Sequence, residues 1–67
     1  MNKHQKARLL ETTAYLSKWY HMFFRVEQKE GYLYLFGRDD WCNHHFVAMI
    51  GVRGGLKVLH KENVDLR

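Results

Sequence analysis

The stretch WYHMFFRVEQKEGYLYLF, Trp19 to Phe36, places two runs rich in aromatic residues on either side of Lys29-Glu30-Gly31. A chain with this stretch at its centre must fold about a hairpin. Aromatic and β-branched residues suit a pleated, half-buried surface, and Gly31 supplies the left-handed backbone a tight turn needs. With a three-residue loop, Gln28 faces Tyr32, Val26 faces Tyr34 and Phe24 faces Phe36. That register sets Phe24, Val26, Tyr34 and Phe36 on one face of the hairpin, and Trp19, Phe23, Leu33 and Leu35 on the other. Both faces are apolar, so both call for cover.

The segment before the hairpin has helical spacing. Over about residues 2–18, Leu9, Leu10, Thr13, Ala14, Leu16 and Ser17 gather on one side and Arg8, Glu11, Tyr15 and Lys18 on the other. Asn2 caps the helix, with Gln5 three residues on as the partner of a capping box. After the hairpin, GRDDWCN reads as a loop or wide turn. HHFVAMIGV, 44–52, is apolar at nearly every position and reads as a central strand buried on both sides. Arg53-Gly54-Gly55 then turns the chain into a last strand over 56–61, with Val52 opposite Leu56 and Ile50 opposite Val58. The tail KENVDLR extends that strand or frays.

The expected fold is therefore α+β: one domain over 1–67, with an N-terminal amphipathic helix on a four-stranded antiparallel meander (strands about 19–28, 32–37, 44–52 and 56–61). At 67 residues, such a domain buries only about 60% of the surface its unfolded chain exposes. Self-association into a homo-oligomer or contact with a partner is the natural supplement. With 46% hydrophobic and 15% aromatic residues the composition is that of a folded domain, not of a disordered segment.

A single cysteine, Cys42, closes no internal disulfide, and this usage fits a reducing, cytoplasmic setting. The start MNKHQKARLLETTAYL alternates charged and apolar residues, unlike a signal peptide, and no apolar run is long enough to span a bilayer. Net charge is +4, with a pI near 9.5, and five histidines add to it below neutral pH. A polyanionic partner is favoured.

Three kinds of chemistry compete for the remaining residues. Asp39, Asp40, Cys42, His44 and His45 are all metal-ligating types, but strand alternation sends His44 and His45 to opposite faces and no second ligand pair follows; the sequence predicts neither metal nor cofactor. Cys42 and His44 lack an orienting third group and a concave pocket, so no enzyme activity is expected. The VRGGLK turn has no Walker spacing and no following helix.

Basic residues mixed with aromatics carry more promise. Tyr20, Tyr32, Tyr34 and Phe36, flanked by Arg25, Lys29 and Arg38, are of the types that stack bases and neutralise phosphates. In the register above, however, Tyr34 and Phe36 are needed under the helix. The expected nucleic-acid contacts are then Lys3, Lys6, Arg8, Tyr15, Lys18, Arg38 and Arg53. The alternative is a protein-interaction module, a phage- or plasmid-type inhibitor or regulator, docking through Trp19, Phe23, Leu33 and Leu35.

In its order of elements, a helix followed by a bent meander, the chain is similar to the Sm-like RNA-binding family. Gly31, Asp40, Asn43 and Leu59-His60-Lys61 fall near that family's glycine, acidic, asparagine and basic signals, with a shorter Gly31 to Asp40 interval. The resemblance implies RNA as ligand and rings closed through strand edges.

Overall fold

The computed structural model describes residues 1–65. Its elements are α1 (Lys3–Trp19), β1 (Phe23–Lys29), β2 (Tyr32–Arg38), β3 (His44–Ile50) and β4 (Leu56–Lys61). The four strands form one antiparallel sheet in the order β1-β2-β3-β4. An α+β fold with the helix on a β-meander is thus what the chain adopts. Positions 66 and 67 of the tail lie outside the described residues.

The helix starts where capping predicts. Asn2 Oδ1 accepts from Gln5 N at 2.9 Å and Gln5 Oε1 accepts from Asn2 N at 3.2 Å, which satisfies two of the free donors of the first turn. Its buried stripe is Gln5, Thr12 and Leu16, with Leu9 and Tyr15 packed beside it. This stripe is rotated from the expected one. Leu10 is 59% exposed, while Tyr15, expected on the polar side, packs against the core. The rotation follows from hydrogen bonding: Gln5 Nε2 donates to Gly31 O at 2.7 Å and to Ile50 O at 3.4 Å. A buried amide must find partners, and these two carbonyls belong to the β1–β2 turn and to the end of β3.

The hairpin turn has two residues, not three. Glu30 (φ 53°) and Gly31 (φ 82°) both take positive φ, the signature of a type I′ turn, whose twist matches that of the flanking strands. Lys29 therefore faces Tyr32, Val26 faces Leu35, and Arg25 faces Phe36. One residue of slip moves the whole of β2 to the other side. Leu33 and Leu35, expected on an uncovered face, are fully buried under the helix, and Tyr34 and Phe36, expected beneath the helix, lie on the open side.

The last hairpin is also shifted, with Ile50 facing Leu56 across a Gly51–Gly55 connection and β3 ending at Ile50. Nor is β3 buried on both sides. Phe46, Ala48 and Ile50 are fully buried, whereas Val47 and Met49 between them are half-buried.

The core joins Leu16, Leu35, Phe46, Ala48 and Val64, the last brought in by the turn that follows β4. Each large apolar side chain so buried contributes about 1.5–3 kcal/mol. Two glycines are required by the packing. A Cβ at Gly37 would lie 3.0 Å from Met22 Sδ and 3.3 Å from Phe46 Cβ; one at Gly54, where φ is +85°, would lie 2.9 Å from the His4 carbonyl oxygen.

Candidate nucleic-acid interface

Residues paired across a sheet share a face, so the register defines the side turned away from the helix. One row runs Lys29, Tyr32. The next runs Glu27, Tyr34, Met49, Lys57, and the third Arg25, Phe36, Val47, His60. A fourth joins Phe23, Arg38 and His44. Read along the strands, β2 supplies a column of rings, Tyr32, Tyr34 and Phe36, and β3 a neighbouring apolar column of Val47 and Met49. The two edge strands carry most of the charge, and Arg38 adds to it at the end of β2.

Among the described residues, this face holds four fixed cations, Arg25, Lys29, Arg38 and Lys57, against the single carboxylate of Glu27. Arg25 Nη1 lies 3.4 Å from Glu27 Oε1, an exposed pair. The Arg25 guanidinium carbon is 4.5 Å from the centre of the Phe36 ring, and that of Arg38 is 5.2 Å from the Phe23 ring. Cations thus already sit on aromatic faces, an arrangement worth about 0.5–1 kcal/mol at exposed sites. Phe23 is 48% exposed and Tyr32 41%. No element of the described chain covers these rings.

The seven residues expected to contact nucleic acid do not come together. Arg38 alone of them is on the sheet face. Lys3, Arg8 and Arg53 line a shallow depression at the helix N-terminus, where Arg8 is committed to the fold: its Nε donates to Gly54 O at 2.8 Å and its Nη1 pairs with Glu11 at 3.3 Å. Tyr15 donates its hydroxyl to Asp65 O at 3.1 Å. Lys6 and Lys18 are exposed on the helix, with Lys18 Nζ 5.2 Å from the centre of the Trp19 ring. The expected protein interface separates too. Trp19 ends the helix, beside Tyr15 and Tyr20, Phe23 is on the open sheet face, and Leu33 and Leu35 are core.

The polar cluster at 39–45 is a self-organised turn. Asp39 Oδ1 accepts from Trp41 N and Asn43 N, each at 2.9 Å; its Oδ2 accepts from Asn43 Nδ2 at 3.3 Å and lies 2.8 Å from His45 Nε2. The hydrogen bond with His45, followed by those from the Asn43 and Trp41 backbone, holds the Asp39 carboxyl at about 2, well below its usual 3.8, while partial burial pulls the other way. Among the described residues, His45 Nδ1 is buried without a partner. Cys42 is exposed and takes φ 66°. Among the described residues, no three of these side chains converge as metal ligands would.

The Asp39 turn was partly visible as an Asx-type signal, since Asp favours hydrogen bonds to the backbone just after it. The ring column was visible only as a list of aromatic residues; its side of the sheet depended on turn length. No helix of the described chain is long and apolar enough to cross a membrane. No protein-family model, no curated protein and no solved structure matches the chain significantly.

Proposed function

We propose that this chain binds single-stranded nucleic acid on the open face of its sheet. The observation that carries the reading is the column Tyr32, Tyr34, Phe36 of β2, bordered by Arg25 and Lys29 of β1 on one flank, by Lys57 beyond β3 on the other, and by Arg38 at the end of the column itself. Unpaired bases have a π-face that any of these rings can stack, at about 1–3 kcal/mol per base, while the bordering cations take up phosphates. A duplex hides its bases, so a flat ring column suits a single strand.

This moves the contact surface from the helix to the sheet. The protein-docking alternative loses its two leucines to the core, and four cations around the rings favour a polyanion over an apolar protein face. It is a binding reading and not a catalytic one, because Asp39 and His45, the acid–base pair of the loop that carries Cys42, are occupied in fixing that loop. β1 and β4 are sheet edges, where a second copy would add its strands to give a homo-oligomer. A reducing cytoplasmic setting, where Cys42 stays a thiol, suits this role.

The test is anisotropy of a labelled oligonucleotide at two salt concentrations. If each of the four cations neutralises one phosphate, the slope of log K against log salt is about −3, and affinity falls by about fiftyfold between 50 and 200 mM. Absence of binding at low salt overturns the proposal. So does binding that survives Tyr34→Leu with Phe36→Leu but is lost with Lys6→Glu and Lys18→Glu, since that places the ligand on the helix.

A further inference from the structure

Resting on that reading, we infer that the platform holds an unstacked, pyrimidine-rich strand of about four nucleotides, laid along β2 with one base on each of Tyr32, Tyr34 and Phe36. The argument is one of spacing. Alternate residues of a strand are about 6.7 Å apart, because each residue advances about 3.3–3.4 Å. A stacked nucleic-acid strand advances about 3.4 Å per nucleotide. Consecutive bases of a stacked strand therefore cannot lie on consecutive rings of β2. The strand must open to twice that spacing, with every base-to-base stack replaced by a base-to-ring stack.

That exchange sets a sequence preference. Every base can stack on a ring, but the stack given up differs: adenines stack strongly on one another, and thymines or uracils weakly. Stacking strength and backbone flexibility, rather than hydrogen bonds to base edges, decide preference on surfaces of this kind. The rings carry few groups that read a base edge. Tyr32 and Tyr34 offer hydroxyls and Phe36 none.

The three rings are not equally ready. Phe36 already bears the Arg25 guanidinium at 4.5 Å, held from the side by Glu27. A base arriving there displaces Arg25, which then has a phosphate within reach of its long side chain. No cation lies over Tyr32 or Tyr34 among the described residues. The fourth nucleotide falls at the end of β2, beside Arg38 and Phe23, which face each other across β1 and β2. Beyond it the Asp39 loop turns the chain away and adds carboxylates. The footprint ends there.

The experiment is competition by unlabelled oligomers of two, three, four, six and eight nucleotides at low salt, in oligodeoxythymidylate, oligodeoxyadenylate and oligouridylate series. The expected result is a steep rise in affinity to four nucleotides and a flat response afterwards, with the pyrimidine series about tenfold or more tighter than adenylate at length four. The thymidylate and uridylate arms separate DNA from RNA as the source of the strand. Equal or tighter binding of adenylate, or affinity that climbs steadily to eight, overturns the inference while leaving the proposed function standing. Failure of every series to bind overturns both. Tyr32→Leu shortens the footprint by one nucleotide; an unchanged footprint in that variant also counts against the inference.

Discussion

Arg25 and Phe36 face each other across β1 and β2, with the guanidinium carbon 4.5 Å above the ring. The pair joins the two chemistries of the open face in one contact: a cation able to move to a phosphate and a ring able to take a base. Arg25→Met keeps the stem that covers Phe36 and removes the charge. The expected outcome is weaker oligonucleotide binding and a salt slope smaller by about 0.7, measured by titration at several salt concentrations.

Tyr34 and Leu35 are adjacent in sequence and opposite in role. Leu35 is fully buried and Tyr34 half-buried on the open side. Leu35→Ala is expected to cost about 2–5 kcal/mol of stability, the usual range for a large-to-small change in a core. Tyr34→Leu is expected to leave the urea midpoint nearly unchanged and to weaken binding by about 1–3 kcal/mol. Reversal of these two effects would mean that β2 presents its other side.

Gln5 couples the helix to the β1–β2 turn and to the end of β3 through its amide, 2.7 Å from Gly31 O and 3.4 Å from Ile50 O. Gln5→Leu leaves both carbonyls and the Asn2 backbone donor short of partners. A loss of about 1–3 kcal/mol is expected, as for other buried groups stripped of a hydrogen bond, and amide hydrogen exchange should rise first in α1.

Gly54 is fixed by conformation and by space. Its φ of +85° strains any L side chain, and a Cβ there would meet the His4 carbonyl oxygen at 2.9 Å. Gly54→Ala is expected to destabilise by more than about 1 kcal/mol, with Gly55→Ala, where a Cβ meets nothing within 4 Å, as the control in the same thermal melts.

Asp39 gives the 39–45 loop an acid limit. Its carboxyl titrates at about 2 in the fold and near 3.8 when free, so the folded state binds the proton less readily than the unfolded one. The stabilisation is complete above about pH 4 and is lost as pH falls from there through 2. Trp41 fluorescence, followed from pH 6 to 2, should report release of the loop across that window, and Asp39→Asn should abolish the dependence. A loop signal unchanged down to pH 2 in the wild-type chain would show that Asp39 does not hold it.

How far the sequence carried the fold is clearest in β2. The capping box at Asn2 and Gln5, the strand boundaries at 32 and 56, and the order of elements all followed from local rules. The face of β2 did not. Leu33, Leu35, Tyr34 and Phe36 are all apolar enough to enter a core, so alternation alone could not rank them, and the decision fell to whether Lys29 belongs to the turn or to the strand. The helix stripe failed for a related reason. Gln5 and Thr12 are polar residues in buried positions, and a hydropathy pattern counts them as solvent-facing. The candidate site was legible as composition, in its aromatics and cations, but its assembly depended on a register set by two backbone angles.

The Glu30-Gly31 turn therefore has an informational role beyond joining two strands. One more residue between Lys29 and Tyr32 would alter no existing side chain, yet it would set the register dictated by the turn against the one dictated by the buried Leu33 and Leu35. Loop length in this hairpin is inherited along with the identity of the outer surface, and a single-codon insertion there puts the turn and the core in competition over which side of β2 faces out.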